Sequence, residues 1–251
     1  MSQKDLILFT PYFKSTSPIR QAEIDKCIIN NINSGIFSKI VLMVEGEINV
    51  PFTHETLLIE NLYFQTTYST WLHLSKRYKD CISILCNSDI YFNEEIKLIT
   101  QILNQNDTFI GLTRHDVIGS EYLLYNDSQW SQDVWALNTK DIHSLESLDF
   151  FNIPLGKPRC DNKIAYLFAI NGWTLVNPCK FIKCFHLHES QIRTYNKYND
   201  ETIFGGCVYI YPSEDLLQPS DIEYAVWPKS FKNPIKSIHL VTALEEWRNK
   251  H

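Results

Sequence analysis

Four short stretches of this chain carry side chains able to do chemistry. Asn87-Ser88-Asp89 follows the apolar run Ile82-Ser83-Ile84-Leu85-Cys86, so the Asp89 carboxylate stands at the carboxyl end of a buried strand. Open α/β sheets bind ligands there, because the loops diverge and leave a crevice. A lone carboxylate in that place suits a hard divalent cation, which keeps water and takes substrate phosphates as further ligands. The plainer role for Asp89 is to end the strand or cap the helix that starts near residue 93. His186-Leu187-His188 puts two imidazoles on one face of a strand, since side chains alternate with a period of two. Both could bind a metal, one could bind metal while the other contacts phosphate, or the pair could lie on the surface without a ligand.

The third stretch, Pro158-Arg159-Cys160-Asp161-Asn162-Lys163, is a turn opening a helix. Asp161 there is placed to be an N-cap or a general base, with Arg159 and Lys163 beside it for phosphate. The fourth, Ser128-Gln129-Trp130-Ser131-Gln132-Asp133-Val134-Trp135, is dense in polar and aromatic groups just before a strand. Aromatic faces flanked by hydrogen-bonding groups suit sugar rings. The same tryptophans could instead anchor an ordinary loop to the core.

The elements that must position these groups follow from periodicity. Leu6-Ile7-Leu8-Phe9, ended by Thr10-Pro11, predicts a buried parallel strand. Ser17-Pro18 predicts a helix start, Ile24, Cys27, Ile28 and Ile32 its apolar stripe, and Gly35 its stop. Residues 40–44, 57–59, 82–86 and 109–112 read as further strands, with a helix over 68–78 and another from Asn93. That alternation predicts an α/β fold: a mainly parallel sheet with helices on both faces. Beyond residue 115 the segments shorten. Strands are predicted over 122–125, 134–137, 173–177, 181–188 and 208–211, a helix from Asp161 to Gly172, and a terminal helix over 242–248.

Composition sets the outer bounds. A net charge of −6 and a pI of about 5.7 argue against broad binding to a nucleic-acid backbone, which needs a basic face. No apolar run reaches the roughly 18 residues that a membrane helix needs. The first residues lead into a short apolar strand rather than the longer apolar region of a signal peptide, so the expected location is cytoplasmic. The seven cysteines are scattered, and the two close pairs fit no common zinc spacing. They are expected to be reduced, mostly buried thiols.

Taken in order, these stretches share one plan. Asn87-Ser88-Asp89, Ser131-Gln132-Asp133-Val134-Trp135, Cys160-Asp161-Asn162-Lys163-Ile164-Ala165-Tyr166 and His186-Leu187-His188 resemble the GT-A type of nucleotide-sugar glycosyltransferase, in a subgroup found in bacterial and viral polysaccharide loci. The resemblance covers residues 5–195. It implies a GT-A-like (Rossmann-like) catalytic domain over 1–195; residues 196–251, which it does not cover, are expected to form a small C-terminal extension packed on or near the acceptor side. It also implies a divalent cation, Mn or Mg, held by Asp89 with His188 or His186. The Asp-x-Asp loop of that family corresponds to Asn87-Ser88-Asp89, with Asn in the first place. The family's Glu-Asp pair corresponds to Cys160-Asp161, so the glutamate is missing.

The resemblance further implies a nucleotide-sugar donor and a hydroxyl of a glycan or glycolipid acceptor. No nucleic acid is implied, and contact with a membrane would be peripheral. Thr10 and Pro11 would lie near the donor base, with Asn87, Ser88 and Asp89 at its diphosphate. Arg114, Arg159 and Arg193 could grip phosphate in a forked geometry. Asp161 is the first choice for the base that takes the acceptor proton, and Asp133 the second. Trp130, Gln132, Trp135 and Tyr91 are candidates for contact with sugar. Two other readings compete. A sugar-phosphate nucleotidyltransferase would carry a glycine-rich basic loop after the first strand, where this chain has Thr10-Pro11-Tyr12-Phe13-Lys14-Ser15. A non-catalytic carbohydrate-binding relative would tolerate Asn87 and Cys160 as they stand.

Overall fold

A computed structural model describes residues 4–190 and 202–227. Arg193 and the helix predicted over 242–248 lie outside the described residues. In chain order the elements are β1 (Leu6–Tyr12), α1 (Pro18–Asn33), β2 (Lys39–Glu45), β3 (Leu57–Leu62), α2 (Tyr68–Ser75), β4 (Ile82–Cys86) and β5 (Ile90–Phe92). A 3-10 segment, Glu94–Leu98, then runs into the single turn α3 (Ile99–Ile102). There follow β6 (Thr108–Leu112), β7 (His115–Ile118), β8 (Glu121–Leu124), β9 (Val134–Asn138), α4 (Cys160–Ile170), β10 (Thr174–Val176), β11 (Cys184–His186), β12 (Gly205–Ile210) and β13 (Ile222–Trp227).

Seven strands form the main sheet, in the order β10-β6-β9-β4-β1-β2-β3. Every neighbouring pair is parallel except the two that involve β9, so the sheet is mainly parallel with one reversed strand. Both faces are covered. Ile7, Phe9, Val41 and Met43 face α2 and α4, packing with Trp71, Leu72, Ile164 and Phe168. Leu6, Leu8, Ile40 and Leu42 face the other way, onto Ile24 and Ile28 of α1 and Ile96, Ile99 and Ile102. This is why the strands read as unbroken apolar runs. One polar group in the core is solved locally: Trp71 Nε1–H donates to Ser83 Oγ at 2.8 Å, and Ser75 joins them.

Helix α1 starts as predicted, with Ser17 Oγ accepting from the Arg20 amide and Pro18 at the first position. Such a cap contributes about 1 kcal/mol. Several elements differ from the sequence expectation, three of them in ways that shape the main sheet and its helices. The helix predicted from Asn93 is mostly a 3-10 segment, because its buried residues Ile96, Ile99 and Ile102 repeat every three positions. Helix α2 ends at Ser75 rather than residue 78; the Ser75 hydroxyl bonds back to the Trp71 carbonyl at 2.7 Å, and tighter turns follow. Strand β1 runs on through Thr10-Pro11 to Tyr12.

That last extension opens the site. On one side β1 pairs with β2 as far as Tyr12↔Val44. On the other it pairs with β4 only as far as Phe9↔Leu85. The two strands part there, where the chain order reverses direction across the sheet. Asp89 leaves β4 at this switch point.

A second, four-stranded sheet, β5-β11-β7-β8, sits beside the opening. It has no counterpart in the sequence reading, which took residues 181–188 as one strand and did not find β5 or β7. The C-terminal hairpin β12–β13 lies on α4, where Val208 and Ile210 are buried in the same core as Phe168. Gly206 permits this approach: a Cβ there would fall 2.7 Å from the Tyr166 ring. All seven cysteines are free thiols, and six of them are buried.

Candidate active site

The small sheet brings distant residues together. In the antiparallel pair β5–β11, His186 lies opposite Ile90, the residue after Asp89. In the parallel pair β11–β7, His186 lies opposite Asp116. Its ring therefore stands between two carboxylates: Nε2 is 3.1 Å from Asp89 Oδ2 and Nδ1 is 2.7 Å from Asp116 Oδ1. His188 lies beyond the strand end, with its ring centroid 5.3 Å from that of His186 and Nδ1 3.9 Å from Asp89 Oδ2. One ligand atom each from Asp89, His186 and His188 falls within 4.8 Å of the others.

Three residues that sequence reasoning missed, Arg20, Glu23 and Asp116, complete this centre. Arg20 of α1 is buried; its Nη2 ion-pairs with Asp89 Oδ2, and its Nη1 donates to Glu23 Oε2 at 2.9 Å and to the Leu187 carbonyl at 3.3 Å. Glu23 in turn accepts from the Ser190 amide at 2.6 Å and the Ser190 hydroxyl at 2.8 Å. A signal was present: Arg20 and Glu23 fall on the buried stripe of α1 with Ile24, Cys27 and Ile28, and a buried charge needs a partner. Asp116 left no comparable mark.

The electrostatics follow the geometry. Burial works to raise the Asp89 pKa, but the charge and hydrogen bond of His186 and the Arg20 guanidinium overcome it and hold the carboxyl far below the ordinary range. Burial works against charging His186, yet Asp89 and Asp116 together push it up to about 9. Four carboxylates (Asp89, Glu23, Asp116, Asp133) and two guanidiniums (Arg20, Arg114) meet around the site, so one divalent cation would balance it with the histidines neutral. One carboxylate and two imidazoles make a donor set that manganese accepts. Asp116 on Nδ1 turns Nε2 of His186 into the site, as outer partners of metal-bound histidines do. The residues present fit the ion.

A cleft of ≈ 420 Å³ leads away from this centre. Pro11, Asn87, Ser88, Asp89, Arg114 and Asp133 line it, with Arg20, Glu45, Gln65 and Lys157. Asp133 is heavily engaged: Asn87 Nδ2–H donates to it at 2.9 Å, Arg114 Nη1 lies 3.1 Å from it, and the Ser131 hydroxyl donates at 3.3 Å. Arg114 also bonds Asp116 and covers the Tyr125 ring. A second cleft of ≈ 480 Å³ adjoins the first and shares Arg114, His186 and His188 with it.

The remaining predicted residues lie further out. Asp161 is the second residue of α4, not its cap; Arg159 holds that place with a left-handed φ of 70°. The Asp161 carboxylate accepts from the Gln132 amide at 3.2 Å. Burial and the Asp133 charge, against backbone N–H groups that favour the anion, push it up to about 7. Arg159 donates to the Tyr209 hydroxyl at 2.9 Å, and Tyr209 stacks on Trp130 with centroids 5.0 Å apart. Thr10 and Gln132 are buried. Tyr91 stacks on Phe185 in the small sheet. Trp135 is only 1% exposed and packs edge-on against Tyr68, so it faces the core and not the cleft.

No protein-family model matches the sequence, and neither does any curated protein. Solved structures do share the architecture. Staphylococcus aureus TarS (residues 1–349, in complex with UDP-GlcNAc) aligns with a TM-score of 0.52 at 10% identity, over 80% of this chain and 62% of that one. GalNAc-T7 with UDP, GalNAc and Mn2+ aligns with a TM-score of 0.51 at 8% identity, over 74% of this chain and 43% of that one.

The fold is GT-A.

This chain thus spans less than two thirds of either protein. In this GT-A fold, Asp89 follows β4 beside the switch point, and the second sheet carries His186 to it. Among the described residues, no helix is long and apolar enough to cross a membrane.

Proposed function

We propose that the protein is a metal-dependent glycosyltransferase, moving a sugar from a nucleotide-diphosphate donor to a hydroxyl of a glycan or glycolipid. The observation that carries this reading is the Asp89-His186-His188 group at the switch-point crevice of a GT-A fold, with a local charge that one dication would balance. Of the structural neighbours, TarS holds UDP-GlcNAc, and GalNAc-T7 holds UDP, GalNAc and Mn2+.

Asp89 and the two histidines would hold the ion, which when bound supplies positive charge to the departing diphosphate. The chain does the rest. Pro11 and Thr10, at the end of β1, would border the nucleotide base, with Asn87 and Ser88 bordering the diphosphate. Asn87 also fixes Asp133, and with Arg114 it keeps that carboxylate paired. Asp161 is left as the base, because a carboxyl poised at about 7 can be ionised and still accept a proton near neutral pH. The acceptor oxygen attacks the anomeric carbon. The bond from that carbon to the diphosphate oxygen breaks, and the diphosphate keeps the electron pair. The hydroxyl proton passes to Asp161. Trp130, stacked on Tyr209 and half exposed beside the start of α4, would contact the acceptor sugar, and the hairpin β12–β13 frames that side.

The test is turnover of a panel of UDP- and GDP-sugars by the pure protein with MnCl2, read as release of the nucleoside diphosphate. Slow hydrolysis or transfer that vanishes in Asp89→Asn is the expected result. Nucleotide binding with no turnover of any donor, even with an acceptor panel, would leave only a binding protein.

A further inference from the structure

Arg20 does more than fill a gap beside Asp89. Its two terminal nitrogens have different partners. Nη1 is anchored by Glu23 Oε2 at 2.9 Å and the Leu187 carbonyl at 3.3 Å. Nη2 meets Asp89 Oδ2, the oxygen that also faces His186 and His188. Glu23 is itself pinned to the Ser190 amide and hydroxyl, so the anchored half of the guanidinium is held by groups other than the Asp89 carboxylate. The side chain also lines the cleft.

A dication bound to Asp89 would sit where the Nη2 proton now points, and like charges at such a separation repel strongly in a buried site. Arg20 need not leave the site to relieve this. Its Nη1 half can stay on Glu23 and Leu187 while Nη2 turns into the cleft. A fork-shaped donor freed beside a cation is the group that oxyanions of a diphosphate accept.

We propose that Arg20 is a built-in counter-cation for Asp89, which a divalent ion displaces and which then pivots about Glu23 to hold the donor diphosphate. The inference rests on the glycosyltransferase reading above and deepens it: cation binding and diphosphate binding become coupled through one arginine. Arg20 competes for the cation in the absence of nucleotide and assists the nucleotide once the cation is in place.

Two measurements test this. The first is titration of the full chain with MnCl2 alone, then with UDP or GDP at saturating MnCl2, for wild type and Arg20→Gln. Removing the competitor should tighten Mn2+ binding by about tenfold or more, and the same variant should bind the nucleoside diphosphate about tenfold or more weakly. Mn2+ binding unchanged or weaker in a folded Arg20→Gln overturns the proposal and leaves the metal site standing. Mn2+ binding to neither protein overturns both this proposal and the metal-dependent reading. The second measurement needs no variant, and so covers a failure of Arg20→Gln to fold. It is a crystal structure of the wild type with MnCl2 and UDP or GDP. Arg20 Nη2 should have left Asp89 for a phosphate oxygen while Nη1 keeps Glu23. An Arg20–Asp89 ion pair that persists beside bound Mn2+ overturns the proposal.

Discussion

His186 stands opposite Ile90 across the β5–β11 pair, and this places its Nε2 3.1 Å from Asp89 Oδ2, a residue 97 positions earlier. The metal-binding capacity of the site depends on that register. A slip by one residue would turn His186 to the opposite face of the small sheet.

Asp89 should be essential for both binding and stability. Asp89→Asn is expected to lower Mn2+ affinity and turnover by about a hundredfold or more. It should also destabilise the fold by about 3–5 kcal/mol, since Arg20 and charged His186 would keep their burial but lose their shared anion. Calorimetric Mn2+ titration and urea unfolding check the two effects separately. Wild-type Mn2+ affinity in the variant would remove Asp89 from the metal site.

Asp116 meets His186 on the side away from Asp89 and also pairs with Arg114, yet it should matter to the metal. Asp116→Asn leaves a hydrogen-bonding group of the same size but removes the charge that orients the ring. Mn2+ affinity should fall by about 10- to 100-fold, with nucleotide affinity in the absence of metal unchanged. Equal losses in both would point to general damage instead.

Asp161 sets a pH dependence. As a base it must be ionised, so kcat should rise with pH through a midpoint near 7, and Asp161→Asn should lower kcat by about 10²–10⁴-fold and abolish that limb. Its pKa is raised in the folded state, so the proton it binds stabilises the fold. This contribution is complete below pH ~4 and is lost as pH rises through about 7, amounting to at most ~4 kcal/mol. The difference between the unfolding free energies at pH 5 and pH 8 should therefore shrink in Asp161→Asn, leaving the part that His186 contributes. By contrast, Asp133→Asn should act chiefly through its partners Asn87 and Arg114, raising the donor KM more than it lowers kcat.

The two tryptophans separate cleanly. Trp130→Ala should raise the acceptor KM with the donor KM unchanged, because its ring is 43% exposed and stacked on Tyr209. Trp135→Phe should leave both KM values alone. Its Nε1–H is buried with no partner among the described residues, so losing that donor offsets part of the cost of lost volume, and stability should change by less than ~2 kcal/mol. A large rise in acceptor KM for Trp135→Phe would return that residue to the site.

Local pattern was enough for the frame. Unbroken apolar strands alternating with amphipathic helices dictate a sheet covered on both faces, and Ser17-Pro18 marks the start of α1 without any tertiary contact. The sequence alone also set Asp89 just past a buried strand and put His186 near His188. It could not say which face of a strand meets the cleft. In a sheet buried on both sides each face is apolar, so nothing in the alternation distinguished Trp135, turned to the core, from a cleft residue. Nor could it reveal β5 and β7, or the pairing of β11 between them, since the backbone hydrogen bonds that choose a strand's partner leave no side-chain pattern. Those strands, and the reach of Arg20 from α1 to Asp89, are long-range pairings. Tertiary structure decided them, because the energy that selects each partner exists only once the chain has closed around it.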